Sequence, residues 1–223
     1  MPSSSLRAVT FDMDGLMFNT EEVYSAVGTK VLQRRGHEFT LPLKKEMMGR
    51  PPQASFEVMI DWCSLDDGWE QLRDESEVIY IDLLDDYLAP MPGLWQLLDS
   101  LEAAGVPKAI ATSSQPTLVE VTLSRFGLQP RFECILTAGD ITQGKPHPEI
   151  YLKAAERLGV PPEEMMVLED SQIGCRAAAA AGAFVVAVPS EHSQDHDFSV
   201  ANLVADSLAD PRIFEALGIA IGG

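Results

Sequence analysis

From Leu94 onward, short apolar segments alternate with helical segments along the chain. The helical patterns 94–104, 116–126 and 148–158 each end at a glycine, which is a common helix terminator. Alternation of this kind is typical of units in which helices connect the parallel strands of one sheet. The sequence therefore predicts an α/β fold with a parallel sheet. The predicted strands are 108–111, 134–137, 165–168 and 184–188, and the predicted helices are 94–104, 116–126, 148–158, 173–181 and 212–217.

A further apolar strand is predicted at 6–12, and it must join the later sheet because a lone strand cannot bury both of its faces. Residues 17–90, which follow it, show helical patterns in a row and no strand signal; the patterns are 20–35, 42–48, 55–63 and 67–88. Thr20 is the expected N-cap of the first of these helices. We therefore expect an α/β core domain made of residues 1–16 plus 91–223. The inserted helical cap domain, 17–90, would then hang over the carboxyl edge of the sheet on a two-stranded hinge.

The charge of the chain limits its partners. The 223 residues include 34 acidic and 16 basic side chains and carry a formal net charge of −18 at pH 7. Nucleic acids and anionic membranes are bound by basic surfaces, so we expect neither as a partner, whereas a small anionic substrate is still allowed. Three scattered cysteines without a CxxC motif, and an amino end without the apolar core of a signal peptide, favour the cytoplasm. We expect a monomer.

Two aspartates, Asp12 and Asp14, come directly after the first predicted strand and are followed by Gly15. Side chains alternate along extended backbone, so both carboxylates can face one spot at the carboxyl end of the strand, where open α/β sheets build their sites. Two like charges held together need a cation between them or a proton on one of them. The pair therefore indicates a divalent metal site or a nucleophile beside an acid/base, and the alternative is a plain turn.

Polar groups also follow three later predicted strands. The hydroxyls of Thr112-Ser113-Ser114 could cradle a phosphate or simply cap the next helix. Lys145 could meet phosphate charge or be a solvated surface lysine. Glu169 and Asp170 offer oxygen ligands of the hard type that Mg²⁺ prefers. Together with the two aspartates after the first strand, these groups supply the carboxylates, the hydroxyls and the lysine that phosphoryl transfer uses.

The order of these groups resembles the four motifs of the haloacid dehalogenase-like superfamily. More closely, the chain resembles the subgroup of small phosphatases and β-phosphoglucomutases, in which a helical cap is inserted after the first motif. The resemblance covers nearly the whole chain, and it implies a Rossmann-like parallel sheet core flanked by helices, with a four-helix cap. The matching segments are Asp12-x-Asp14-Gly15, Thr112-Ser113-Ser114, Gly144-Lys145-Pro146 and Glu169-Asp170-Ser171.

The resemblance also implies a role for each motif residue. Asp12 would be the nucleophile that becomes an aspartyl phosphate, and Asp14 would be the general acid/base. Mg²⁺ would be held by the Asp12 carboxylate, the Asp14 backbone carbonyl and Asp170, with Glu169 acting directly or through water. The phosphoryl oxygens would be held by Thr112, Ser113, Ser114 and Lys145, of which Thr112 and Lys145 would also be catalytic.

Two reactions stay open within this resemblance. A mutase must hold a second phosphate with cationic partners, and at the positions that supply them this chain has Tyr24, Pro52 and Gln115-Pro116. This difference favours a Mg²⁺-dependent phosphatase acting on a small phosphorylated metabolite, such as a sugar phosphate. Lys45 and Arg50 could replace the missing cations, which keeps a phosphosugar mutase as the alternative. A non-catalytic phosphate-binding protein is the third hypothesis. The candidate substrate residues of the cap are Thr20, Tyr24, Lys45 and Arg50.

Overall fold

The computed structural model describes residues 6–48 and 50–222. The strands are β1 (Ala8–Phe11), β2 (Lys108–Ala111), β3 (Cys134–Leu136), β4 (Met165–Glu169), β5 (Phe184–Ala187) and β6 (Leu203–Val204). The helices are α1 (Thr20–Gln33), α2 (Leu41–Met47), α3 (Pro52–Cys63), α4 (Trp69–Tyr87), α5 (Leu94–Ala103), α6 (Pro116–Ser124), α7 (Glu149–Leu158), α8 (Gln172–Ala181) and α9 (Pro211–Leu217). Within the described ranges, no helix is both long and apolar enough to cross a membrane.

By its internal contacts the chain divides into two compact units. The α/β unit combines the residues up to Asn19 with those from Pro90 onward, and the helical unit is Thr20–Ala89. All the strands named above lie in the α/β unit, and α1 to α4 make up the helical unit.

The strands of the α/β unit form one sheet with the order β3-β2-β1-β4-β5-β6, and each pairing is parallel. β1 lies between β2 and β4, with Phe11 opposite both Ile110 and Leu168. These three strands are buried along their whole length, as a sheet covered by helices on both faces requires. Because parallel strands end at the same edge, the residues that follow β1, β2 and β4 come together there.

Helices α7 and α8 pack against the sheet through one hydrophobic core. Side chains of α7 that lie on one face of the helix are buried, and α8 contributes mainly small side chains, which allow a close approach. Complete burial of a side chain the size of Ile150 stabilises the fold by about 1.5–3 kcal/mol. The core residues of these helices are Ile150, Tyr151, Ala154, Ala155, Cys175, Ala177, Ala178 and Ala181.

The helical unit is held together by apolar packing of α1 on α4 and by a group of ion pairs. Arg35 donates to Asp67 at 2.7 Å and to Glu75 at 2.6 Å, and all three side chains are largely buried. The apolar side chains that the two helices bury include Val23, Val27 and Val31 of α1, and Leu72, Ile79 and Leu83 of α4.

One local prediction for the helical unit is wrong. Helix α1 begins at Thr20 itself, whereas an N-cap lies just outside the helix. The hydroxyl of Thr20 is buried and finds no hydrogen-bond partner among the residues that the structure describes. It therefore does not cap the helix.

The α/β fold with an inserted group of helices is confirmed, and each predicted strand forms within two residues of its expected position. Strand β6 was not predicted. It has only two residues, too few to show an alternating pattern, and it exists because Leu203 and Val204 pair with Val186 and Ala187 of β5. That pairing depends on tertiary structure, since nothing in these two residues specifies it.

Candidate active site

Four polar segments meet at the carboxyl edge of the sheet. Asp12 follows β1 directly, and its N–H donates to the carbonyl of Leu168 in β4 at 3.0 Å. Thr112 follows β2, and Glu169 is the last residue of β4. Lys145 reaches the same place from the loop between β3 and α7, where the Lys145–Pro146 peptide bond is cis.

The ammonium group of Lys145 is the positive charge of this site. Its Nζ donates to Asp12 Oδ1 at 2.5 Å, to Glu169 Oε1 at 2.7 Å and to the carbonyl of Ala111 at 3.1 Å. Burial lowers the pKa of Lys145, but the attraction of Asp12 and Glu169 outweighs it and holds that pKa well above its usual value. Lys145 is therefore a fixed, charged group beside Asp12, and the surface-lysine alternative is wrong.

Glu169 is buried, and protein donors occupy both of its carboxylate oxygens. Oε1 accepts from Lys145 Nζ and from the hydroxyl of Tyr151, the latter at 2.6 Å. Oε2 accepts from the N–H of Ser171 at 3.2 Å and from its hydroxyl at 2.9 Å. A carboxylate has about four lone-pair sites, so these four donors saturate it. This arrangement favours Glu169 as an anchor for Lys145 over Glu169 as a direct ligand of a cation.

Asp12, Glu169 and Asp170 form a buried group of carboxylates in which one oxygen of each lies within 4.8 Å of the others. Burial raises the pKa of Asp12 to about 8. The positive charge of Lys145 lowers this pKa, whereas the negative charges of Glu169 and Asp14 raise it further. Keeping these groups ionised thus requires more positive charge than one ammonium supplies. A hard divalent cation such as Mg²⁺, which prefers oxygen ligands, fits this donor set.

The hydroxyl loop after β2 holds the carboxylate of Asp14. Asp14 Oδ2 accepts from the hydroxyl of Thr112 at 2.9 Å and from that of Ser114 at 2.7 Å, whereas Ser113 is exposed. Asp14 Oδ1 is buried and has no hydrogen-bond partner among the described residues. An unpaired buried acceptor costs about 1–3 kcal/mol, so this oxygen is placed to receive a donor or cation from outside the chain. The same hydroxyls that were predicted to bind phosphate therefore contact the predicted acid/base.

Two glycines allow the carboxylates to lie where they do. Gly15 has φ +78°, and a Cβ there would overlap with the carboxylate of Asp170. Gly174 lies in the first turn of α8, where its N–H donates to the capping hydroxyl of Ser171 at 3.0 Å. A Cβ on Gly174 would overlap with the carboxylate of Glu169.

We expect Gly174→Ala to lower the free energy of unfolding by about 1–3 kcal/mol, because overpacking would force Glu169 off its donors. In an open helical position the same change would instead stabilise the protein by up to about 1 kcal/mol. Urea denaturation measures the difference. In a Glu169→Ala background the overlap is gone, and Gly174→Ala should then cause no loss. An equal loss in both backgrounds would contradict this explanation.

Four predicted site residues lie in the helical unit. The ring of Tyr24 packs on that of Tyr80, with 5.1 Å between centroids. Arg50 donates to the backbone carbonyl of Glu46 at 2.6 Å and pairs with its carboxylate. Lys45 is exposed. These residues, together with Thr20, stay candidates for substrate contacts.

Sequence reasoning missed Tyr151 as a residue of this site. A weak signal was present, because Tyr151 is the single tyrosine on a buried helix face made otherwise of Ile150, Ala154 and Ala155. The hydroxyl of a buried tyrosine usually needs a partner. Nothing in the sequence indicates that this partner is Glu169, which lies on a different element.

Comparisons with known proteins find relatives that match most of the chain. A family model described as "Haloacid dehalogenase-like hydrolase" matches residues 9–188. A probable pseudouridine-5'-phosphatase from Drosophila melanogaster is 34% identical over 219 residues, which cover 94% of each chain. A phosphorylated carbohydrates phosphatase from Thermotoga maritima is 31% identical over 181 residues, which cover 79% of this chain and 82% of that protein.

The fold is also similar to solved structures. The crystal structure of CbbY from Rhodobacter sphaeroides in complex with phosphate superposes with a TM-score of 0.80 at 25% sequence identity. The match covers 92% of this chain and 95% of that one.

Proposed function

Because this chain belongs to the family of haloacid dehalogenase-like hydrolases, we propose that it is a Mg²⁺-dependent phosphatase. Its substrate would be a small phosphorylated metabolite, such as a sugar phosphate or a similar phosphomonoester. The observation that carries the proposal is the buried pair of Lys145 and Asp12, at 2.5 Å, within a group of buried carboxylates that could hold a metal ion. The names of two relatives, one a phosphatase of phosphorylated carbohydrates, support the substrate class.

In the first step of the proposed reaction, a carboxylate oxygen of Asp12 attacks phosphorus and the bond from phosphorus to the ester oxygen breaks. Asp14 gives its proton to that leaving oxygen, which departs as an alcohol. The product on the enzyme is an aspartyl phosphate at Asp12. Lys145 lies beside the attacking group and stabilises the negative charge that the phosphoryl oxygens carry during transfer.

In the second step, Asp14 takes a proton from water, whose oxygen attacks phosphorus. The bond between phosphorus and the Asp12 oxygen breaks, which releases inorganic phosphate and restores the Asp12 carboxylate. Asp14 gives up a proton in the first step and regains one in the second, so one side chain serves both.

The group of carboxylates identifies the residues that would hold Mg²⁺. Asp12 and Asp170 would supply carboxylate oxygens, and the backbone carbonyl of Asp14 would complete the protein ligands that the family resemblance implies. When bound, the cation would neutralise charge on the phosphoryl group and favour the ionised form of Asp12. Glu169, whose oxygens already accept four protein donors, would support the cation by fixing Lys145.

The hydroxyls of Thr112 and Ser114 have one observed partner and one proposed partner. In the structure both donate to Asp14 Oδ2. A phosphoryl oxygen in the site would compete for the same donors, and exposed Ser113 would be a further donor. We propose that the helical unit contributes to the choice of substrate through residues such as Tyr24, Lys45 and Arg50. A cytoplasmic, monomeric enzyme is likewise a proposal that follows from the sequence alone.

A panel of phosphomonoesters tests this function, with sugar phosphates, phosphoglycolate, nucleoside monophosphates and p-nitrophenyl phosphate as substrates. We expect release of inorganic phosphate in the presence of Mg²⁺, and its loss when EDTA removes the cation, because the carboxylates would then lack their counter-charge. A colorimetric phosphate assay measures both. Absence of turnover with every ester would contradict the proposed function.

The two alternatives give different outcomes in the same panel. A mutase would convert β-glucose 1-phosphate into glucose 6-phosphate in the presence of a bisphosphate primer, without net release of phosphate. A non-catalytic phosphate-binding protein would bind inorganic phosphate in a calorimeter but turn over no ester. Either result would replace the phosphatase assignment.

A further inference from the structure

Tyr151 is fully buried on α7, six residues after Lys145 in the chain. Its neighbours on the buried face of the helix, Ile150, Ala154 and Ala155, are all apolar. A phenylalanine would present the same ring to this core, so hydrophobic packing does not explain the hydroxyl. The hydroxyl has a specific partner instead, since it donates to Glu169 Oε1 at 2.6 Å.

Tyr151 contacts the Lys145–Glu169 ion pair in two ways. Its hydroxyl shares Glu169 Oε1 with the ammonium of Lys145, which donates to the same oxygen at 2.7 Å. The Nζ of Lys145 also lies over the ring of Tyr151, 5.0 Å from the centroid, within the range of a cation–π contact. The ring and the hydroxyl of one side chain therefore hold both members of the pair.

This arrangement fixes the distance between Lys145 and the predicted nucleophile. Lys145 Nζ has two carboxylate partners, Asp12 Oδ1 at 2.5 Å and Glu169 Oε1 at 2.7 Å, and it lies between them. The hydroxyl of Tyr151 satisfies part of the hydrogen-bonding capacity of Glu169 Oε1. Without it, that oxygen would have Lys145 as its one donor among the residues that the structure describes, and it would attract the ammonium more strongly, away from Asp12.

We propose that Tyr151 is a positioning residue for phosphoryl transfer. Its hydroxyl shares Glu169 Oε1 with Lys145, and this sharing keeps the Lys145 ammonium hydrogen-bonded to Asp12. The inference rests on the proposed function for its catalytic consequence, whereas the placement of Lys145 can be tested without any reaction. The hydroxyl of Tyr151 donates to Glu169, and in this proposal Tyr151 does not contact the substrate.

The first test replaces Tyr151 by phenylalanine, which keeps the ring and removes the hydroxyl. With p-nitrophenyl phosphate and saturating Mg²⁺, we expect kcat to fall about tenfold while KM stays within about twofold of the wild type, because the displaced ammonium matters most in the transition state. An unchanged kcat in the folded variant would overturn the proposal.

Ser100→Ala is the matched control for general loss of stability. Ser100 is buried in the same unit, and its hydroxyl donates to the carbonyl of Gln96 at 2.8 Å and accepts the N–H of Gly222 at 2.8 Å. We expect this variant to lower the melting temperature and to keep the wild-type kcat. If Ser100→Ala lowers kcat as much as Tyr151→Phe does, the hydroxyl of Tyr151 has no special role and the proposal fails.

A double variant tests whether Tyr151 acts through Glu169. In a Glu169→Gln background, Tyr151→Phe should cause less than a twofold further loss of kcat, because two residues of one hydrogen-bonded network are not additive. A full additional tenfold loss would overturn the proposed route.

A measurement without turnover separates this inference from the proposed function. The ¹⁵N resonance of the Lys145 ε-ammonium is identified as the signal that is lost in Lys145→Arg. This resonance should shift in Tyr151→Phe and keep its chemical shift in Ser100→Ala. An unchanged resonance in Tyr151→Phe would overturn the positioning role. If the wild type hydrolyses no ester, the proposed function fails, but the resonance still decides whether Tyr151 places Lys145.

Discussion

Asp12→Asn should lower kcat for every phosphomonoester that the wild type hydrolyses by at least about a thousandfold. The amide oxygen of asparagine is a far weaker nucleophile than a carboxylate, so the aspartyl phosphate could not form. Steady-state release of inorganic phosphate in the presence of Mg²⁺ measures the effect. The fold should persist, since Asp12 lies just after β1 and its backbone hydrogen bond to Leu168 is unaffected.

Asp195→Asn serves as the matched control for this substitution. Asp195 is exposed in the loop that follows β5, and it is not one of the residues assigned to the site. The control should keep the wild-type kcat. If Asp12→Asn also kept a rate near that of the wild type while remaining folded, the nucleophile would have to be another residue and the proposed mechanism would be wrong.

Lys145→Met should lower the free energy of unfolding by about 3–5 kcal/mol in the absence of divalent cations. The substitution keeps an unbranched side chain that is one atom shorter, and it removes the ammonium that Asp12, Glu169 and the carbonyl of Ala111 all share. Two buried carboxylates would then lose their counter-charge. Urea denaturation measures the loss, and addition of Mg²⁺ should restore part of it, because a ligand that binds only the folded state stabilises that state.

The control for charge removal is Lys153→Met, which makes the same change on α7. Lys153 is 40% exposed and pairs with Glu149 at 2.8 Å, a pair of the surface type. Such pairs contribute about 0–1 kcal/mol, so we expect little loss. Equal losses in the two variants would show that Lys145 is not a buried counter-ion, and a Lys145→Met protein with no response to Mg²⁺ would contradict the proposed cation site.

The sequence alone was sufficient to predict which strands carry the site. In parallel sheets the strands end at one edge, so Asp12, Thr112 and Glu169 were expected to meet once the order of strands and helices was recognised. Lys145 was expected at the same edge because its loop follows a strand of the same sheet. The structure places all four as predicted, with Lys145 Nζ at 2.5 Å from Asp12 and 2.7 Å from Glu169.

Other features required the tertiary structure. The sequence predicted that Thr112 and Ser114 would hold phosphate, but it did not indicate that their hydroxyls would also donate to Asp14. It also gave no sign that Gly174 must lack a side chain so that Glu169 can lie against α8. These contacts join residues from different elements at distances of about 3 Å, and local patterns do not determine how elements pack at that precision.

The amino-acid sequence by itself determined the order of strands and helices and the edge of the sheet at which the polar groups gather, whereas the roles of nucleophile and acid/base stay predictions that the family resemblance implies. Periodicity and strand ends encode these features locally, and the parallel sheet brings them together. Only the tertiary structure decided how hydrogen-bond donors are shared among the polar groups of the site. Lys145, Tyr151 and Ser171 together occupy the acceptor sites of Glu169. The sharing of a buried carboxylate depends on which side chains reach it from packed helices and loops, and no segment of the chain carries that information alone.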